Sequence, residues 1–161
     1  MSDWTIRSYH PDDASRTEAM LRRSWADAYS WLDPAEFEAL HGLLADGIRP
    51  LVPGRDEKAF VAEENGEVLG LAVVGEHGAT AFLWGMYVEP ARQREGIGSR
   101  LIQTAIAAVT TASVIEIRVL EGEPPVVRFY QRHGFRTVGE VDDDILPGRP
   151  RRFTVMSLAR P

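Results

Sequence analysis

The chain has no cysteine in its 161 residues. That excludes a disulfide framework, a cysteine nucleophile and a thiolate metal site. It has no surplus of base either. Lys and Arg number 18 against 24 Asp and Glu, a net charge of -6. This argues against general nucleic-acid binding through a basic surface and leans toward cationic partners such as amines. Membrane-length apolar runs are missing, and the opening Met-Ser-Asp-Trp-Thr-Ile-Arg has neither a basic n-region nor an apolar h-region. The expectation is a soluble cytoplasmic protein with no nucleic-acid or membrane partner. His10, His41 and the run Asp142, Asp143, Asp144 show no metal-ligand spacing, so no metal is expected. There is no internal repeat, low-complexity tract or separating linker. Hydrophobic residues make up 44% and charged residues 26%, which suits one domain over residues 1–161 with one well-buried core.

What is present alternates between strand and helix signals. Trp4 to Tyr9 reads as a first strand, turned by His10-Pro11-Asp12-Asp13. From Ala14, apolar positions at Met20, Leu21, Trp25, Ala28, Tyr29 and Leu32 step by three and four, a helix. Asp33-Pro34 opens a shorter helix with Phe37, Leu40, His41 and Leu44 on one face, and Gly47 to Asp56 reads as a loop. Lys58–Glu63 and Glu67–Val74 form a hairpin across Asn65-Gly66, followed by a polar turn over Glu76–Thr80. Ser113–Leu120 is a β-branched strand, Pro124 to His133 a helix, and Phe135–Val141 and Arg152–Leu158 are closing strands joined by a loop over Asp142–Pro150. Seven strands and four helices follow in the order β, α, α, β, β, β, α, β, α, β, β. The hairpin makes the sheet antiparallel in part, and the strand–helix–strand units after residue 80 require crossovers and admit parallel pairing.

The stretch from Trp84 to Ile106 carries the chemistry. The aromatic and apolar run from Phe82 to Val88 suits a strand covered on both faces, and Pro90 stops it. After Gly98, Leu101, Ile102, Ala105, Ile106 and Val109 fall at helical spacing. Between them, Gln93-Arg94-Glu95-Gly96-Ile97-Gly98 places two glycines where a helix begins. The first N–H groups of a helix lack internal partners and its dipole is positive there, so this is an anion site of the kind that holds phosphate. It is not a Walker A loop, because no Gly-Lys-Ser/Thr follows. It is not a dinucleotide fingerprint, because Leu101 stands where a third glycine or alanine belongs.

Gln-x-x-Gly-x-Gly after Tyr-Val-x-Pro resembles the acetyl-CoA-binding motif of the GNAT N-acetyltransferase superfamily. Phe129-Tyr130-Gln131-Arg132-His133-Gly134-Phe135 is similar to the second signature of that family, Phe-Tyr-x-x-x-Gly-Phe, at the expected distance downstream. The specific motifs run from Tyr87 to Phe135; the first half resembles the family in element order only. The resemblance implies an α/β (α+β) single-domain fold: a mixed, mostly antiparallel sheet of about seven strands, flanked by about four helices, with splayed central strands. It implies acetyl-CoA as co-substrate. Backbone groups of Met86, Tyr87 and Val88 would bond its pantetheine arm like an added strand. Gln93, Arg94, Glu95, Gly96, Ile97, Gly98 and Ser99 would form the pyrophosphate loop, with Arg92, Arg94 and Arg100 as further candidates. Gly85 is a candidate bulge whose N–H would face the thioester carbonyl.

The implied reaction moves acetyl to a primary amine by direct attack in a ternary complex, and the acceptor is a small-molecule or peptide amine. Tyr130 matches the tyrosine that gives the leaving thiolate its proton, and a phenol with pKa near ~10 stays protonated at neutral pH. A central-strand glutamate common in the family is absent from Ala81–Val88, leaving Glu89, Glu116, His77, His41 and Tyr29 open as bases. Glu123 stands where the family often has asparagine before its last helix. Tyr29 and Trp31 are candidates to line the acceptor pocket. A homodimer stays open, and so does a non-catalytic acyl-CoA sensor on the same fold.

Overall fold

In the computed structural model, residues 3–48 and 57–161 are described. The chain starts with β1 (Thr5–Ser8), then α1 (Ala14–Ala28) and α2 (Pro34–Ile48). β2 (Glu57–Glu64) and β3 (Glu67–His77) form the Asn-Gly hairpin, with both turn residues at positive φ, +53° at Asn65 and +84° at Gly66. Two positive φ angles match the twist of paired strands, which is why Asn-Gly favours this turn. β4 (Thr80–Val88), α3 (Ile97–Ala108), β5 (Val114–Leu120), α4 (Pro124–Arg132), β6 (Arg136–Leu146) and β7 (Arg149–Ala159) follow.

One seven-stranded sheet runs β1-β2-β3-β4-β5-β7-β6. Only β4 and β5, joined by the α3 crossover, pair in parallel; the other pairs are antiparallel. The second crossover, through α4, does not return beside β5, because β7 inserts between β5 and β6. The expected mixed, mostly antiparallel sheet with four helices is therefore present. Its two faces carry separate clusters. Ile97, Leu101, Ile102 and Ala105 of α3, with Tyr130 of α4 and Phe135, pack on one. Met20, Leu21 and Trp25 of α1 pack on Val61, Leu71 and Val73 on the other.

Several boundaries differ from the pattern in the sequence. β3 runs on to His77 and β4 starts at Thr80, because Glu76 and His77 pair with Ala81 and Thr80, so the expected turn over Glu76–Thr80 shrinks to Gly78 and Ala79. α1 stops at Ala28, with Tyr29 and Leu32 in the turn beyond it. α2 has 15 residues and takes in Gly47 and Ile48, and the rest of the expected loop lies outside the described residues. α3 ends at Ala108 rather than near Thr111, where the Glu76 carboxylate accepts the N–H groups of Thr110, Thr111 and Ala112. Asp142 to Pro150 is not a loop but the arms of a long hairpin. Its acidic run is a poor strand signal by itself. Across the ladder, however, Asp142 faces Arg152 with Nε and Oδ1 3.1 Å apart, and Asp143 faces Arg151. Opposite charges on facing positions support pairing that the one strand's composition does not suggest.

Candidate active site

β4 carries a bulge. On β3, Val73 pairs with Gly85 but Val74 pairs with Leu83, so Trp84 is the extra residue. The facing pattern changes phase across it. Ala81 and Leu83 point to the α3 side before the bulge, and Met86 and Val88 point there after it. Trp84 and Tyr87 turn to the α1 side. The expected bulge at Gly85 is thus present one position earlier. A Cβ on Gly85 would lie 3.3 Å from Val73 Cγ2, so close packing also favours glycine there.

Beyond the bulge the sheet opens. β4 and β5 pair only through Thr80–Phe82 and Val114–Glu116. β4 then stays with β3 as far as Val88, while β5 follows β7 to Leu120. The parting strands enclose a cleft of about 800 Å³. Met86, Tyr87, Val88, Gln93, Arg94, Gly96, Ile97, Gly98, Ser99 and Tyr130 all line it. Glu95 does not; its carboxylate turns to Arg92 at 2.8 Å.

The loop at one end is shaped by its backbone. Arg94 sits at φ +70° and Gly96 at φ +86°. A Cβ on Gly96 would meet nothing within 4 Å, so that glycine serves conformation. Gly98 differs: a Cβ there would touch Phe129 at 3.5 Å and Met86 Cε at 3.6 Å, narrowing the cleft between α4 and β4. The first helical bond of the turn runs from Arg100 N–H to Gly96 C=O, 3.0 Å. The N–H groups of Ile97, Gly98 and Ser99 precede it and have no intrahelical acceptor. Ser99 Oγ lies 3.2 Å from His133 Nε2, tying the first turn of α3 to the end of α4. Burial, with Arg132 nearby, holds the His133 pKa below its usual value.

The arginines divide into two groups. Arg92 bridges Glu64 at 2.7 Å and Glu95 at 2.8 Å, which pins the loop to β2 and commits its guanidinium. Arg100 is not part of the lining. Arg92 and Arg94 are, and with them Arg118, Arg128 and Arg132, which no motif in the sequence singles out. The last two follow from the helical spacing of α4, since they lie four residues apart.

Tyr130 is 3% exposed, its ring packed edge-on to Phe129 with centroids 5.2 Å apart. Burial pushes its pKa far above the usual tyrosine value, and Tyr29 adds to the rise. Tyr29 is lifted to about 12 by burial, with the charge of Glu123 contributing. Tyr87 is raised too, mainly by burial. All three phenols are protonated at neutral pH. Of the open candidates for a base, Glu116 and Tyr29 line the cleft and the others do not. Glu89 is paired with Arg23, 2.7 Å apart. His41 packs on Trp25 and Phe37, and His77 on Phe82. Glu123 lines the cleft as well, a group whose only signal in the sequence was its departure from the family's asparagine.

Residues 55–137 match the acetyltransferase (GNAT) domain family, just over half of the chain. The chain belongs to this family. It is 26% identical over 140 residues to the peptidyl-lysine N-acetyltransferase YjaB of Salmonella typhimurium, covering 86% of this chain and 88% of that protein. Among solved structures it resembles the PaiA N-acetyltransferase of Thermoplasma acidophilum in complex with coenzyme A. That likeness has a TM-score of 0.75 at 19% identity and covers 99% of both chains. The structure of YncA of Salmonella typhimurium with acetyl-CoA gives a TM-score of 0.69 at 21% identity, over 99% of this chain and 95% of that one. At these identities the structural likenesses speak to the fold. Among the described residues, no helix is long and apolar enough to cross a membrane.

Proposed function

We propose that this acetyltransferase transfers an acetyl group from acetyl-CoA to a primary amine, by direct attack within a ternary complex. The observation that carries the reading is the parting of β4 from β5 beyond Phe82 and Glu116, with a phosphate-type loop at one end and Tyr130 in the wall. Where β5 has left, the outward backbone groups along Met86, Tyr87 and Val88 have lost their strand partner and are suited to an extended arm. The amides of Arg94 to Ser99 suit the pyrophosphate, and the bare α-carbon of Gly98 keeps the approach open between Phe129 and Met86. Bound acetyl-CoA supplies the acyl group as a thioester. Tyr130, kept neutral by burial, donates a proton to the departing sulfur.

The YjaB relative is named for action on peptidyl lysine. An alkylamine of that chemistry is the acceptor class proposed here. A module that only senses acyl-CoA would use the loop and have no need of a buried phenol in the same cleft, which favours the enzyme. The test is release of free thiol from acetyl-CoA with a panel of amines: a lysyl peptide, an α-amino dipeptide, spermidine and phenethylamine. Amine-dependent release is expected. Tight acetyl-CoA binding without release for any amine would favour the sensor instead.

A further inference from the structure

Two of the described carboxylates line the cleft, Glu116 and Glu123, and neither has a part in the transfer proposed so far. Ser99 and His133 hold the end of α4 against the loop. Glu123 lies ten residues before His133, so a rise of ~1.5 Å per residue puts it at the opposite end of α4. It precedes Pro124 at the start of α4, and its Oε1 accepts the Trp31 indole N–H at 3.2 Å. Trp31 is itself braced: the Arg151 guanidinium lies 5.6 Å from its ring centroid, and Arg151 makes bonds of 2.8 and 2.9 Å to buried Glu36. Three side chains in series thus orient one carboxylate.

What that carboxylate faces is informative. Tyr29, Trp84 and Tyr130 line the same cleft. Glu123, the N-cap, and Tyr130, seven residues on, both line the cleft, and the Tyr130 side chain leans toward the N-terminal end of α4, the end at which Glu123 stands. The charge of Glu123 helps raise the Tyr29 pKa, and Tyr29 helps raise that of Tyr130, which agrees with that convergence. The cations lining the cleft are Arg92, Arg94, Arg118, Arg128 and Arg132. Glu116, the rival, lines the cleft at the last β4–β5 pair, where the strands begin to part. Among the described residues no hydrogen bond or ion pair orients it.

We propose that Glu123 receives the ammonium group of the acceptor and takes its proton. Trp31 is its positioning residue, and Tyr29 and Trp84 wall the site for an amine with an apolar stem. The proposal rests on the acetyltransfer reading. The ammonium gives one proton to the Glu123 carboxylate. Its freed lone pair forms the C–N bond as the C–S electrons leave with sulfur. Tyr130 protonates the sulfur and regains the second proton from nitrogen, and Glu123 passes its own to water. The products are an amide, a thiol and one proton.

The test uses the intact protein saturated with CoA, titrated calorimetrically with phenethylamine and with its uncharged counterpart 2-phenylethanol. The wild type should prefer the amine by about tenfold or more, ~1.4 kcal/mol. Glu123→Gln should lose that preference with CoA affinity unchanged, and Trp31→Phe should weaken it. In turnover, Glu123→Gln should lower kcat/KM for the fastest amine of the panel by ~10²-fold. Benzhydrazide, already neutral at pH 7, should lose far less. The proposal is overturned by a wild type without preference, by equal losses with both nucleophiles, or by Glu116→Gln reproducing the defect while Glu123→Gln does not. A wild type that transfers acetyl normally while Glu123→Gln matches it removes this inference alone. A wild type that releases no thiol with any amine removes the acetyltransfer reading too.

Discussion

Phe135 donates its backbone N–H to the carbonyl of Tyr130 across 3.1 Å, and their rings meet edge to face with centroids 5.6 Å apart. Gly134 between them sits at φ +91°. This is a Schellman end to α4, a left-handed residue followed by a bond back over the last turn, with an apolar contact closing it. The physical content of Phe-Tyr-x-x-x-Gly-Phe is therefore a helix stop that fixes where Tyr130 points.

Gly134→Ala should disturb that stop in two ways. A left-handed φ costs a non-glycine residue ~1–2 kcal/mol, and the new methyl would lie 3.1 Å from Leu158 Cδ1. Urea unfolding should show a loss of about 1–3 kcal/mol, with activity reduced in the protein that remains folded. An unchanged midpoint would mean that the helix end relaxes without help from glycine.

Tyr130→Phe keeps the ring and its contacts with Phe129 and Phe135 and removes only the hydroxyl. We expect kcat to fall ~10²–10⁴-fold, with acetyl-CoA affinity and the melting curve little changed. The deficit should shrink for a thioester with a more acidic thiol, since that thiolate departs unaided. A variant as fast as the wild type, with chemistry rate-limiting, would leave Tyr130 as a packing residue.

The two loop glycines should fail differently. Gly96→Ala meets open space but strains a backbone at φ +86°, so both stability and cofactor affinity should drop. Gly98→Val stays within helical geometry and pushes a branched side chain toward Phe129 and Met86. Its CoA affinity should fall by at least about tenfold with folding retained. Calorimetric titration of both variants, with melting curves, separates the two effects. Full affinity in Gly98→Val would mean that the arm does not pass between α4 and β4.

Glu76 makes stability depend on acid. Its carboxylate accepts backbone bonds from Ala112 at 3.0 Å, Thr111 at 2.8 Å and Thr110 at 3.1 Å. Those bonds favour the charged form and hold its pKa at about 2, down from 4.5. A depressed carboxylate stabilises the fold fully above its unfolded pKa and loses that contribution as pH falls through the folded value. The window therefore runs from about 4.5 down to about 2. Glu76→Gln should cost about 1–3 kcal/mol at pH 7, and the gap to wild type should close across that window. Parallel unfolding midpoints at all pH values would refute the assignment.

The local elements were legible because their signals are local. Asn65-Gly66 specifies a turn through backbone freedom that few other pairs have. The glycine loop and the Phe-Tyr-x-x-x-Gly-Phe run specify a helix start and a helix stop within a few residues each, and together they named the family and the co-substrate. Charge on a single strand was misleading: the run Asp142 to Asp144 read as a loop because Arg152 and Arg151 come to face Asp142 and Asp143 only after the hairpin closes. Arg92 was one candidate for a phosphate contact, and only the fold shows that its guanidinium is engaged by Glu64, 28 residues away in the chain. The cleft itself is a property of the sheet. No local pattern states that β5 leaves β4 after Glu116 to follow β7, because that choice is made by residues 153–159, which arrive last. Glu123 shows the same limit. The sequence determined that a carboxylate stands before α4, but its orientation depends on Trp31, Arg151 and Glu36, contributed by the α1–α2 turn, β7 and α2. Only the packing of those distant segments decides where a flexible, charged side chain comes to rest.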